Sequence, residues 1–142
     1  MTISRTARAG FTFIELVIAI AILAVLALVV GPMVMGQLEK AKVSGTTSNM
    51  QTLKTSIDMF KIDTARYPTK LRDLVEKPKE EVVARNWMKG GYVQGGELPK
   101  DGWSEDFQYK RTPEGKNPYE LYSYGANGAG APKEEWISAW SK

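Results

Sequence analysis

The sequence predicts an α+β fold in which one long N-terminal helix, apolar over its first half, packs on a small antiparallel sheet. Three observations predict it. An uncharged apolar run lies near the N-terminus, apolar residues recur at helical spacing to about residue 63, and two short aromatic-rich segments flank a turn after residue 100. The chain has 142 residues, about twenty of them too apolar for a soluble core, which leaves one small globular domain.

Composition removes several function classes. There is no histidine, hence no ordinary general base near pH 7, no common zinc ligand and no Ser/His or Cys/His pair. There is no cysteine, so no disulfide framework. The net charge of +3 falls to +1 if Arg5 and Arg8 leave with a leader, which gives nucleic-acid binding little electrostatic support. Asp58, Asp63 and Asp101 stand beside aromatic segments, but nothing sets them at a catalytic spacing, so no enzyme activity is expected.

Residues 1–10 are polar and carry Arg5 and Arg8 without an acid. They run into Phe11-Thr-Phe-Ile-Glu-Leu-Val and then twenty uncharged residues, Leu16 to Met35, enough to cross the hydrocarbon layer at about 1.5 Å per residue. Positive charge before the span places the N-terminus in the cytoplasm and residues beyond about 40 outside it, although Lys40 and Lys42 oppose that orientation. Length and flanks alone favour an uncleaved signal anchor. Two details point elsewhere. Glu15 places a carboxylate inside the apolar run, which costs a few kcal/mol or more unless a partner is supplied. A cut between Gly10 and Phe11 would create an amine four residues from Glu15, able to pair with that carboxylate within a subunit or between staggered neighbours.

Gly10-Phe11-Thr-Phe-Ile-Glu15 resembles the processing site of type IV pilins and type II secretion pseudopilins. The resemblance implies cleavage after Gly10 by a prepilin peptidase, methylation of the new N-terminal Phe11, and a role for Glu15 in assembly. Gly31-Pro32 predicts a kink or a melted turn, because proline removes a donor and clashes with the preceding turn. Helical spacing resumes at Met35, Leu38 and Ala41, and continues through Met50, Leu53, Ile57 and Phe60. These positions predict a single interrupted helix from Phe11 to about Asp63, with the last four of them facing the C-terminal domain. The resemblance makes this helix pilin-like and implies that it loosens near Pro32 in a filament.

The chain thus divides into a leader (1–10), a transmembrane or filament-core helix (11–35) and a periplasmic pilin-like domain (36–142). Within the last, residues 64–100 read as loop with one short helix at Thr69–Glu76, between turn signals at Tyr67-Pro68, Lys77-Pro78 and Gly90-Gly91. Phe107–Arg111 and Glu120–Tyr124 read as antiparallel strands around a loop at Thr112–Pro118, burying Phe107, Tyr109, Leu121 and either Tyr122 or Tyr124.

Here the resemblance narrows to the major pseudopilin family, on Tyr67-Pro68, Asp101-Gly102-Trp103-Ser104, Ser123-Tyr-Gly-Ala-Asn127-Gly128 and Trp140. It implies a structural subunit of the periplasmic pseudopilus, polymerising with copies of itself in the bacterial inner membrane and driving export of folded proteins across the outer membrane. Implied partners are minor pseudopilins, the prepilin peptidase, the inner-membrane assembly platform and a cytoplasmic ATPase, since the chain has no phosphate-binding loop. The alternative is a type IV pilus pilin or minor pilin serving adhesion, motility or DNA uptake. The resemblance also implies a small calcium site in the C-terminal loop, with oxygens from Tyr124 (carbonyl), Asn127, Glu134 and Glu135. Against it stands a plain capped loop, needing no cofactor, in which Glu134 and Glu135 open a short helix that packs Trp136 and Ile137 inward. In that case Lys133 takes over part of the ion's charge by pairing with an acid.

Overall fold

The structure, a computed structural model, describes residues 10–141. The leader arginines Arg5 and Arg8 lie outside the described residues. The helix α1 spans Phe13–Thr64, and the chain divides into two compact units, Met1–Leu38 and Glu39–Lys142.

In the first unit, α1 carries a segment of mean hydropathy 3.1 with none of its residues buried. Phe13, Leu23, Leu28 and Met33 are among its exposed side chains. Helical backbone continues through Gly31 and Pro32, so of the kink or melted turn expected there the melted turn is absent. Proline deletes a single helical hydrogen bond, and the bonds on either side carry the helix across.

In the second unit, α1 buries Thr46, Met50, Leu53, Ser56, Ile57, Phe60 and Thr64, a stripe at three- and four-residue spacing that contains the four predicted core residues. Full burial of side chains such as Leu53, Ile57 and Phe60 contributes about 1.5–3 kcal/mol each. The helix stops where Ala65 turns left-handed (φ 58°), while the Thr64 hydroxyl donates to the Phe60 and Arg66 carbonyls at 2.7 and 3.1 Å. The helix expected at Thr69–Glu76 is only a 3-10 turn, Leu71–Leu74. Asp73 accepts the backbone N–H groups of Thr69 and Lys70 and so tightens this turn locally. A second helix, α2 (Glu81–Asn86), lies in what the sequence suggests is loop. It carries an Arg85–Glu81 pair at 2.8 Å.

The sheet has three strands in the order β1-β2-β3, all antiparallel: β1 (Gln108–Arg111), β2 (Tyr119–Ser123) and β3 (Ile137–Ser138). Tyr109 pairs with Leu121 and Arg111 with Tyr119 around the expected loop. Alternation along β2 buries Tyr119, Leu121 and Ser123, so Tyr122 does not enter the core, and neither does Tyr124. Phe107 is buried, and Tyr109 is half-buried, its ring tilted against that of Tyr119 at 5.5 Å. The C-terminal helix is a 3-10 turn (Lys133–Glu135) that feeds β3.

Candidate functional site

At the head of α1, Thr12 and Glu15 form a reciprocal cap. Glu15 Oε2 accepts the Thr12 backbone N–H at 2.8 Å and its hydroxyl at 3.0 Å, and the Glu15 N–H donates to Thr12 Oγ1 at 3.3 Å. This is a Thr-x-x-Glu capping box, a local signal that the sequence carries and that the charge of Glu15 overshadows. The carboxylate also sits in the first turn of the helix, the end that favours negative charge. Both Thr12 bonds fall on one carboxylate oxygen; Oε1 has no partner among the described residues. Gly10 and Phe11 precede the cap and are exposed.

The second built feature joins the two C-terminal motifs. Asp101 is buried, and its Oδ1 accepts the backbone N–H groups of Trp103 and Glu105, both at 2.9 Å. Its Oδ2 accepts the Ser123 hydroxyl at 2.5 Å, and Ser123 Oγ in turn accepts the Gly125 N–H at 3.0 Å. Gly102 N–H donates to Thr46 Oγ1 at 2.8 Å, and Thr46 donates to the Lys42 carbonyl at 2.8 Å. The turn therefore rests on α1 through one hydroxyl and on the end of β2 through one carboxylate. Asp101 is structural: every acceptor bond it makes organises backbone or Ser123, and it faces no reactive group.

The C-terminal loop is closed by aromatic stacking. The Tyr122 and Trp136 rings stack 4.5 Å apart at 6°, and Tyr124 meets Trp136 edge-on at 5.2 Å. Trp136 Nε1 donates to the Ala131 carbonyl at 3.0 Å, and Trp140 Nε1 to the Tyr119 carbonyl at 2.8 Å. Lys54 Nζ stands 4.4 Å from the Trp140 ring centroid and donates to the Ala139 carbonyl at 3.2 Å. Burial raises the pKa of Tyr109 and Tyr119 beneath this cluster.

Of the residues named for calcium, the structure brings Asn127 and Glu135 together. Asn127 spends its amide on Glu135 Oε2 at 2.6 Å, and Glu134 is exposed. No group of three acidic or other metal-ligating side chains is placed to hold an ion among the described residues. Calcium takes six to eight oxygens, and beyond Asn127, Glu134 and Glu135 the remainder would have to come from carbonyls such as that of Tyr124. Lys133 does not pair with an acid among the described residues; its Nζ lies 5.8 Å from the Trp136 ring centroid instead.

Residues 33–140 match the family model described as type II secretion system (T2SS), protein G, and residues 5–31 match the prokaryotic N-terminal methylation motif. The type II secretion system core protein G of Pseudomonas aeruginosa is 36% identical over 141 residues, covering 96% of this chain and 97% of that protein. Its counterpart in Escherichia coli K12 is 36% identical over 134 residues, with coverages of 92% and 90%. The crystal structure of the major pseudopilin from the type 2 secretion system of enterohaemorrhagic Escherichia coli is similar with a TM-score of 0.62 at 32% identity, covering 75% of this chain and 92% of that one.

Proposed function

The chain belongs to the type II secretion system protein G family, the major pseudopilins, and on that premise we propose how its residues carry it from membrane subunit to filament. It is a structural subunit of the secretion pseudopilus and not an enzyme, and the surface-pilus alternative is not favoured. It assembles with other components of the secretion system.

The observation that carries the mechanism is the Thr12–Glu15 cap at the head of a helix whose apolar first part is exposed. Before assembly the apolar face is covered by lipid, with the N-terminus cytoplasmic and the C-terminal domain periplasmic. Cleavage between Gly10 and Phe11, followed by methylation, leaves a secondary amine that stays protonated. In the membrane, Thr12 holds Glu15 by one oxygen, which lowers the cost of burying it. In the filament, Oε1 receives the Phe11 amine of a neighbouring subunit, a charge-assisted bond strengthened by low dielectric. The cap thus keeps the carboxylate aimed without occupying both of its oxygens. The repeating contact is heterologous and gives an open filament. Minor pseudopilins, the assembly platform and a cytoplasmic ATPase supply its start and its energy. Pro32, with one helical bond already missing, is where α1 yields most easily to the bends this packing imposes.

The C-terminal loop needs no ion in this reading, because the Tyr122–Trp136–Tyr124 stack and the Asn127–Glu135 bond close it.

The deciding experiment is the mass and N-terminal sequence of the membrane-extracted chain, with and without prepilin peptidase. A singly methylated terminus at Phe11 that depends on the peptidase supports the mechanism, and an intact Met1 terminus removes its basis. Periplasmic accumulation of exported enzymes in a strain lacking the chain tests the secretion role.

A further inference from the structure

In the second unit a cavity of about 310 Å³ is rimmed by five cations: Arg66, Lys70, Lys77, Lys79 and Arg111. The three acids that share the rim are already committed. Asp73 accepts the Thr69 and Lys70 N–H groups, Glu76 pairs with Arg72 at 3.1 Å, and Glu80 pairs loosely with Arg66 at 3.9 Å. Lys70, Lys77, Lys79 and Arg111 have no ion pair among the described residues. The five cations outnumber the three acids by two, so the rim keeps a net positive charge that a bound anionic group offsets.

A second hollow of about 290 Å³ shares Arg66, Tyr67 and Arg111 with the first and continues to Pro113 and Pro118. Tyr67 is half-buried, its ring tilted against Tyr119 at 5.4 Å and held by Lys61, whose Nζ lies 4.5 Å from the ring centroid and donates to the Tyr67 hydroxyl at 3.0 Å. The two hollows form one trough, basic towards Lys77 and Lys79, apolar towards the prolines. An inorganic anion fills only the first part. An extended chain fills both.

We propose that this trough is a docking surface for an extended segment of another protein, with carboxylates seated between Arg111, Lys70 and Lys77 and apolar side chains running over Tyr67 onto Pro113 and Pro118. Arginine supplies paired donors for a carboxylate, and the lysines supply charge. Recognition of an acidic motif by clustered basic residues, with an aromatic and proline floor under the adjoining apolar residues, is a recurring peptide-binding mode. The surface is independent of the Thr12–Glu15 contact and does not rest on the filament mechanism.

The test uses the full chain in non-ionic detergent and a short fluorescent peptide with an acidic run followed by a Leu/Pro run. The expected result is binding, read by anisotropy, that weakens about tenfold or more in Lys77→Gln/Arg111→Gln, a loss of about 1.4 kcal/mol. Lys89→Gln/Lys110→Gln, the same charge change outside the trough, leaves it near wild type. Lys77 and Arg111 are exposed, so their replacement does not unfold the chain, and an unchanged melting curve verifies this. Absence of binding, or equal weakening in both variants, overturns the proposal. So does displacement by inorganic phosphate at equal charge with no loss on deleting the Leu/Pro run, which assigns the hollow to a free anion. A sedimentation shift that disappears in Lys77→Gln/Arg111→Gln without peptide also overturns it, because the occupant is then a second copy of this chain.

Discussion

Replacing Gly102 by alanine should destabilise the globular unit markedly. Gly102 lies against α1, and a Cβ built there meets Lys42 main-chain carbon atoms at 2.8 Å and its carbonyl oxygen closer still. Carbon–carbon contact is comfortable only at about 3.5–4.0 Å, so the turn must lift from the helix. Overpacking of this kind costs about 1–3 kcal/mol. Lifting the turn also breaks the 2.8 Å bond from Gly102 N–H to Thr46 Oγ1, a buried hydroxyl, for about another 1 kcal/mol. The sum of about 2–4 kcal/mol is a large part of the stability of a small domain. With a urea slope of about 2 kcal/mol/M, the midpoint should fall by about 1–2 M. Urea titration read by tryptophan fluorescence reports this directly, since Trp103 is the next residue. Thr46→Val should lose about 1–3 kcal/mol by stranding the Gly102 donor, whereas Thr46→Ser keeps both hydroxyl bonds and should lie near wild type. A Gly102→Ala chain within about 0.5 kcal/mol of wild type would refute the close-approach argument.

Glu15→Leu should insert and be cleaved normally but fail to enter filaments. Thr12→Val, which keeps the backbone bond to Glu15 and loses the hydroxyl, should reduce incorporation by a few-fold, about 1 kcal/mol, as measured by the filament yield in sheared fractions; wild-type yield from both variants would remove the cap from the mechanism. Chelation with EDTA should leave the melting temperature unchanged, while Trp136→Ala, which breaks the stack on Tyr122, should cost about 1–3 kcal/mol in the same melt; a calcium-dependent rise would restore an ion to the loop. Ala65→Gly should stabilise by about 0.5–1 kcal/mol in urea, because the left-handed φ of 58° strains alanine and not glycine. Burial raises the pKa of Tyr109 and Tyr119, so each neutral phenol contributes stability that is intact below the ordinary tyrosine value and is lost as pH rises beyond it. Stability should therefore be flat from neutral pH to about 9 and decline above about 10, with a shallower decline in Tyr109→Phe as read by alkaline melting curves.

The features legible in the sequence and the features hidden from it divide along one physical line. Periodic burial was legible: the stripe of Met50, Leu53, Ile57 and Phe60, and the pairing of two aromatic segments around Thr112–Pro118, come from repeat spacing that tertiary context did not override. Long-range polar closure was hidden. β3 has two residues and exists because β2 offers it an edge, so no local pattern announces it. The burial of Tyr119, ahead of Tyr122 and Tyr124, depends on the β2 register, which the Asp101–Ser123 bond helps to hold at the strand's end. Asp101 and Ser123 are 22 residues apart, one reading locally as a turn residue and the other as a strand residue, yet together they fasten the turn on α1 to the sheet. The Thr12–Glu15 cap is the instructive exception, because its four-residue signature is local and legible. A buried charge directs attention to an intermolecular partner, and in Glu15 that obscured a partner only three residues away on the same chain. The distinction has a mechanistic consequence: a carboxylate already held by its own helix can wait in the membrane, and assembly then has to supply only the bond to Oε1.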